Sequence, residues 1–390
     1  MSNKPKKNGI ILKGKMDGPL LVMIIVLLIC GLIILVSASG PISFEEEGNN
    51  YSYVVSQLKN ISIGITMMLI ISFFDYRIIG RVKVFKWIIY IGTIAILVYT
   101  GIAGVAAKGA RRWLSLGSLS FQPSEFAKIF IILFYAFLLQ DIKEKGKINS
   151  FKSGFFYPCL FIAPIFVSIF ILQNHLSATL LICFIIVVQM FIAGVGIKNF
   201  LGGTGMAGTA GFLYLLISKK QSEGFRGSRI DTWKNLESAD ITGNGWQINQ
   251  SLYAIASGSA FGVGPGQSIQ KYSYLPEAQN DFIFAIFAEE YGFVGCIVII
   301  LLFVLFVWRG LIIAKRSNDL AGTLIAAGIT ILIGVEAAWN IAVVTNTLPV
   351  TGILLPFFSY GGTGMIANLM GVGFLLSVSK NRKEKGEEKA

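Results

Sequence analysis

Residues 275–293 read LPEAQNDFIFAIFAEEYGF and mark the point where a long polar segment turns into a strongly apolar one. Asp281 lies at this boundary, and Glu289 and Glu290 follow inside the apolar part. Ionisable side chains are costly within a membrane, so their presence there indicates function. The stretch therefore predicts a membrane helix with a carboxylate at its polar end, where water and lipid meet.

The composition of the 390-residue chain excludes a soluble globular protein, because 54% of its residues are hydrophobic and only 14% are charged. Runs of about 20 apolar residues have the length that crosses a bilayer. They predict an all-α polytopic membrane protein with ten transmembrane helices. The runs lie near 19–38, 60–75, 86–104, 124–140, 154–172, 177–194, 197–216, 281–307, 321–344 and 358–378.

Lysine and arginine concentrate in the loops after the second, fourth, sixth and eighth runs, which marks these loops as cytoplasmic. The prediction is a basic cytoplasmic N-terminus at 1–18, a ten-span membrane domain at 19–378 and a basic cytoplasmic tail at 379–390. An extracytoplasmic loop at 219–280 separates spans seven and eight. Asp281 then faces the outside of the cell.

Residues 105–123 break this charge rule, because an outward-facing loop here carries Lys108, Arg111 and Arg112. One interpretation is that these side chains reach the outer lipid headgroups and bind them weakly. Another is an anion site, since paired guanidinium groups match the oxygens of a diphosphate. The sequence leaves both interpretations open.

The fourth run begins with Glu125 and, one turn deeper on the same helical face, Lys128. A carboxylate is favoured in the first turn of a helix, so Glu125 has an ordinary explanation. Lys128 needs a carboxylate partner, and the candidates are Glu125, Glu289, Glu290 and Glu336. A structural ion-pair network and a catalytic one are both consistent with this pattern.

Asp281 also has two interpretations. In the first, it caps the following helix, as aspartate commonly does. In the second, it reaches an extracellular substrate. In a regular helix Glu289 would lie about 80° around from Asp281, and Glu290 about 180°. The three carboxylates are therefore expected to serve different neighbours.

Two irregular segments flank the outer ends of the helices. Apolar positions within 219–280 predict short amphipathic helices on the membrane surface, and glycines at 258, 262, 264 and 266 predict turns. Residues 348–365, LPVTGILLPFFSYGGTGM, combine proline and glycine breaks at a membrane edge. Such backbone is tolerated only where it lines a cavity or packs on protein.

Several chemistries are excluded by composition. One histidine, His175, cannot form a multi-histidine metal site, and an interfacial polar role is favoured for it. No phosphate-binding loop for a nucleotide is present, and the net charge of +12 follows from topology rather than from a nucleic-acid partner. Scattered cysteines in apolar runs are interpreted as core residues; these are Cys30, Cys159, Cys183 and Cys296.

Short motifs spread over nearly the whole chain carry a resemblance to a known family. They read GARRWL at 109–114, QPSE at 122–125 with Lys128, QSL at 250–252, QSIQKYSYLPE at 267–277, DFIF at 281–284, EE at 289–290, and LPF at 355–357 with SYGG at 359–362. This order resembles the SEDS proteins, the FtsW, RodA and SpoVE group of bacterial cell-wall polymerases, and is closest to FtsW. The chain departs from the family's Pro-Asp-Leu-Gly where it has Asn174, His175, Leu176 and Ser177.

The resemblance implies an inverting glycosyltransferase of the bacterial cytoplasmic membrane. It would polymerise lipid II, a disaccharide-peptide on undecaprenyl diphosphate, at the outer face during septal cell-wall synthesis. Asp281 would act as general base or hold a divalent cation, Mg²⁺ or Mn²⁺, with no nucleotide; a single base suits single-displacement inversion. Substrate and diphosphate would be bound by Arg111, Arg112, Lys128, Glu125, Lys271 and Glu277. The implied supporting residues are Glu289, Glu290, Glu336 and Ser359.

The implied partners are a class B penicillin-binding protein, which is a transpeptidase, and other division proteins. Two other functions stay open. A lipid II flippase would need charged residues along a path through the membrane, whereas a polymerase needs them at the outer edge. A non-enzymatic division scaffold would tolerate the loss of Asp281.

Overall fold

A computed structural model describes residues 14–107, 110–116, 119–202, 233 and 244–381, and this part of the chain is mainly helical. The helices are α1 (Gly18–Glu47), α2 (Ser52–Phe73), α3 (Ile78–Arg81), α4 (Lys83–Ala103), α5 (Pro123–Glu144), α6 (Phe151–Leu172, with π-helical turns at both ends), α7 (Leu176–Ala193), α8 (Asn244–Ser257), α9 (Ile283–Lys315), α10 (Leu320–Val344) and α11 (Gly362–Lys380).

Among the described helices, eight are long and apolar enough to cross a membrane: α1, α2, α4, α6, α7, α9, α10 and α11. The predicted span 124–140 corresponds to α5, whose 22 residues reach about 33 Å. This helix carries several charges and packs against α4, α7, α10 and α11 inside the bundle. The predicted span 197–216 extends beyond the described residues, so the count of ten stays a prediction.

The core of the bundle lies around α5 and α10. Side chains of α5 from Ile131 to Leu139 are buried on all sides of the helix, and most of α10 is buried as well. A helical stretch that is apolar on every face and buried on every face lies inside the protein. The polar groups of α5 and α10 are therefore held in a closely packed interior.

The segment between α4 and α5 departs from the all-α prediction. It forms a three-stranded antiparallel sheet in the order β1 (Val105–Ala107), β2 (Ala110–Leu116) and β3 (Leu119–Phe121). The segment is too short for another span, and its backbone groups need hydrogen-bond partners. Strand pairing satisfies those backbone groups internally.

Helix α9 is not the continuous helix that the sequence predicts, because it breaks at Gly292, with φ 65° and ψ −169°. The glycine-rich loop 258–264 fills the break. Amides of this loop donate to two carbonyl oxygens just before the break, and loop carbonyls accept from two amides just after it, at 2.9 to 3.1 Å. The interrupted helix therefore loses few backbone hydrogen bonds.

Gly292→Ala is expected to destabilise the protein. A Cβ at this position would lie 2.3 Å from the amide nitrogen of Gly262 and 2.7 Å from backbone atoms of Ala260. Overpacking costs about 1–3 kcal/mol, and this backbone conformation, which glycine alone adopts readily, adds about 1–3 kcal/mol. A fall in the melting temperature of the purified protein measures the effect.

Gly92→Ala is the matched control, because a Cβ there would meet no atom within 4 Å. Its melting temperature is expected to equal that of the wild type or to rise slightly, since alanine favours a helix. Equal melting temperatures for the Gly292 and Gly92 variants would contradict the tight contact between loop and helix.

Candidate functional site

The buried centre of the site is an ion-pair network between α5 and α10. The Nζ atom of Lys128 donates to Oε2 of Glu125 at 2.7 Å and also to Oε1 of Glu336. Side chains of Lys128 and Glu336 are only 6% and 3% exposed. Of the four carboxylates expected as partners of Lys128, Glu125 and Glu336 are confirmed, whereas Glu289 and Glu290 contact other residues.

A small cavity of about 50 Å³ borders this network. A cavity of this size holds roughly one or two water molecules. His175 lines it and is only 7% exposed, so it is buried within the protein; its interfacial position stays a prediction. The remaining wall consists of Gln122, Ala178, Leu181, Gly352, Ile353 and Leu354.

Asp281 does not line this cavity but lies next to one of its walls. Helix α9 starts only at Ile283, and its cap position is Phe282, which makes no side-chain capping bond. Asp281 is therefore not the helix cap, and an angle measured around a helix does not apply to it. A Cβ on Gly352 would lie 3.8 Å from the Asp281 Oδ2 atom. The carboxylate is thus adjacent to the segment 352–354 that forms one wall of the cavity.

Glu289 supports the loop that leads towards Asp281. Its carboxylate accepts hydrogen bonds from the Ser268 hydroxyl, from the Ile269 amide at 3.0 Å and from the Gln270 amide at 3.4 Å. Several donors on one carboxylate offset the cost of burying its charge. Glu289 therefore stabilises this loop, which agrees with a supporting role.

Lys271 and Glu290 form a second buried pair, with 3.2 Å between Nζ and Oε1. The ammonium of Lys271 also donates to the Ser37 hydroxyl at 2.9 Å and to the Gly266 carbonyl at 2.6 Å. An ammonium has three donor hydrogens, and these partners account for all of them. Lys271 also lines a cavity of about 820 Å³, and its binding of diphosphate stays a prediction.

Arg111 and Arg112 contact different segments of the protein, and their binding of an anion stays a prediction. Neighbouring residues on strand β2 point to opposite faces. Arg111 donates to the Ile102 carbonyl at 2.6 Å, and Arg112 donates to the Asn174 carbonyl at 2.6 Å. Because His175 follows Asn174 and lines the cavity, Arg112 lies nearer the site than Arg111 does.

Glu277 and Ser359 shape the backbone near Asp281. Glu277 has a positive φ of 57° and accepts a hydrogen bond from the Asn280 side chain. The Ser359 hydroxyl accepts from the Leu355 amide at 2.9 Å, within the irregular segment before α11. The next amide, that of Tyr360, donates to the Gln279 carbonyl at 2.9 Å and so connects the two segments.

Asn340 and Gly352 are site residues that the sequence did not single out. The side-chain nitrogen of Asn340 donates to the carbonyl oxygen of Asp281, and Gly352 lies against the Asp281 carboxylate. The available signals were an asparagine inside an apolar run and a glycine in the irregular segment 348–365. Neither signal identifies the partner.

Solved structures share this fold. One is a chain of a peptidoglycan synthase complex, whose structure concerns the coordination of polymerization and crosslinking. It aligns with a TM-score of 0.77 at 23% identity, and the alignment covers 95% of this chain and 99% of that chain. The rod shape determining protein RodA of Thermus thermophilus aligns with a TM-score of 0.68 at 23% identity, covering 95% and 98%.

Relatives closer in sequence cover almost the whole chain. Stage V sporulation protein E of Bacillus subtilis is 39% identical over 93% of this chain and 96% of its own length. A probable peptidoglycan glycosyltransferase FtsW of Geobacter sp. is 36% identical over 93% and 96%. The model of the FtsW/RodA/SpoVE family, which is described as cell cycle protein, matches residues 19–384. The protein is an integral membrane protein that belongs to the FtsW/RodA/SpoVE family.

Proposed function

We propose that this protein is an inverting peptidoglycan glycosyltransferase that polymerises lipid II at the outer face of the cytoplasmic membrane. The observation that carries the proposal is the place of Asp281. Asp281 is half-buried just before α9, and its carboxylate lies beside the wall of a cavity that is bordered by a buried ion-pair network. Relatives with 33–36% identity are named probable peptidoglycan glycosyltransferases, which supports the same reaction.

Asp281 acts as the general base in this proposal. It takes the proton from the acceptor sugar hydroxyl as that oxygen forms a bond to the anomeric carbon of the donor. The bond between the anomeric carbon and the diphosphate oxygen breaks, and the lipid diphosphate leaves with the electron pair. One carboxylate and a good leaving group suffice for such a single displacement, which inverts the anomeric centre.

Among the cationic side chains that the structure describes, Arg112 is the best placed to bind the leaving diphosphate, because its guanidinium reaches the loop beside the cavity. A forked donor set suits phosphate oxygens and offsets their developing charge. Lys128 takes a different role from the one that the resemblance implies. Its ammonium is shared by two carboxylates in a cavity too small for a sugar, so it holds α5 and α10 together.

The size of the cavity around Lys128 argues against a flipping path through that network. A flippase needs a polar path that accommodates a disaccharide headgroup. Around Lys128, the described residues leave only about 50 Å³, whereas small-molecule sites usually have about 300 Å³ or more. The sugars are therefore expected to bind above the cavity, at the edge where Asp281 lies.

The divalent cation stays a prediction. Within the described residues, no group of three or more histidine, cysteine, aspartate or glutamate side chains is arranged to hold a metal ion. Asp281 as a single carboxylate does not fit a resident metal site, and Mg²⁺ would need oxygen ligands from substrate phosphates and water. No step of the proposed mechanism depends on a metal.

The orientation follows the charge of the loops, with both termini in the cytoplasm and Asp281 outside. The proposed partner is a class B penicillin-binding protein. A protein with the same fold occurs in a peptidoglycan synthase complex whose structure concerns the coordination of polymerization and crosslinking, which supports a partner of this kind. Newly made strands need crosslinking, which a transpeptidase would perform.

The test is a glycan assay with fluorescent lipid II, the purified protein and its cognate transpeptidase, without ATP or any other glycosyltransferase. We expect a ladder of glycan chains on a gel. Lipid II that crosses the bilayer of a proteoliposome, with no glycan product, would favour the flippase instead. A complex that binds lipid II but neither polymerises nor moves it would favour the scaffold.

A further inference from the structure

Asn340 on α10 joins two irregular segments at the site. Its side-chain nitrogen donates to the carbonyl oxygen of Asp281 at 2.8 Å and to that of Ile353 at 2.8 Å. The residue is 1% exposed. Because both partners are carbonyl oxygens, which only accept, the orientation of the carboxamide is determined by its contacts.

The two segments have no regular secondary structure that would fix their separation. Asp281 precedes the first turn of α9, and Ile353 lies in the extended stretch before α11. Gly352, the neighbour of Ile353, lies against the Asp281 carboxylate and has a positive φ of 72°. One carboxamide therefore connects the backbone of Asp281 to the segment that its carboxylate faces.

We propose that Asn340 is a positioning residue that fixes the Asp281 carboxylate relative to the cavity wall at 352–354. This inference rests on the proposed function, in which Asp281 is the general base. Helix α10 is rigid and holds the carboxamide in place, so the carboxamide holds both segments at a fixed position. A misplacement of about 1 Å at a reacting group can reduce the rate about 100-fold.

Gln189 on α7 offers a matched control, because it makes the same kind of double contact away from Asp281. Its side-chain nitrogen donates to the carbonyl oxygens of Ile132 at 3.1 Å and Leu324 at 3.2 Å. Gln189 is fully buried, and its carboxamide oxygen, like that of Asn340, accepts no hydrogen bond from the described residues. Leucine at either position removes two buried hydrogen bonds.

The experiment compares Asn340→Leu with Gln189→Leu in the purified complex with the transpeptidase. For Asn340→Leu we expect kcat for glycan polymerisation to fall about 10- to 100-fold while KM for lipid II changes by less than about threefold. For Gln189→Leu we expect kcat within about threefold of the wild type. Both variants are expected to melt at lower temperature than the wild type, because both lose buried hydrogen bonds.

Hydrogen exchange supplies a readout that does not need activity. In Asn340→Leu, the amides of both peptides, covering 278–282 and 350–354, are expected to exchange faster than in the wild type. In Gln189→Leu both peptides are expected to stay protected. If Asn340→Leu does not fold, Asn340→Ser, which is smaller and removes the double donor, is measured in the same way.

The proposal is overturned if both leucine variants lose activity equally, or if the two peptides exchange as in the wild type. An inactive wild-type complex would instead count against the proposed function, and the exchange result would still decide whether Asn340 holds the two segments. A loss confined to KM would assign Asn340 to substrate binding and reject positioning.

Discussion

Asp281→Asn is expected to reduce the rate of glycan polymerisation about 100- to 10 000-fold, the usual contribution of a general base. Asparagine has nearly the size of aspartate but cannot take a proton from the acceptor hydroxyl. The backbone contact from Asn340 to the carbonyl of residue 281 is retained, so folding is expected to be preserved. The measurement is the initial rate at saturating lipid II, made with the purified complex.

Glu46→Gln is the control for this loss of a carboxylate. Glu46 is exposed at the end of α1, where it accepts a hydrogen bond from Tyr53. We expect its rate to remain within about twofold of the wild type, because surface polar contacts contribute little. An Asp281→Asn variant that polymerises at the wild-type rate would refute the base assignment, whatever the control shows.

Lys128→Leu is expected to reduce stability by about 3–5 kcal/mol, the usual effect of removing one partner from a buried ion pair. The substitution leaves the Glu336 carboxylate, 3% exposed, without its ammonium partner. Glu125 is 16% exposed and is therefore less affected. A lower melting temperature and a smaller yield of folded protein measure the effect.

The double variant Lys128→Leu with Glu336→Leu tests the cause. Replacing a whole buried pair by apolar residues is often neutral, so we expect it to recover much of the melting temperature. Poor stability of both variants alike would mean that Lys128 contributes through packing rather than through its charge. Activity of the stable double variant then separates a structural network from a catalytic one.

Local features of the sequence predicted much of the fold. Apolar runs predicted the eight helices that are long enough to cross a membrane, because each span must satisfy its backbone and meet lipid within its own residues. Glycines at 262, 264 and 266 predicted turns, and all have positive φ angles. Strand pairing at 105–121 was missed, since hydrophobicity does not report which backbone groups meet.

Part of the site could also be predicted. The spacing of Glu125 and Lys128 placed them on one face of α5, and the structure confirms their contact at 2.7 Å. The choice among the possible carboxylates for Lys128 could not be made from spacing, because Glu336 is 208 positions away. Glu290 pairs instead with Lys271, which the resemblance had assigned to diphosphate.

By itself, the sequence determined that this is a helical membrane protein with Asp281 at the polar end of a span, because hydrophobicity and charge act on each segment separately. Only the tertiary structure decided what Asp281 faces. The break at Gly292, the contact with Gly352 and the bridge from Asn340 all join residues that are distant along the chain. Such contacts depend on how the helices pack, and no local pattern of residues encodes that packing.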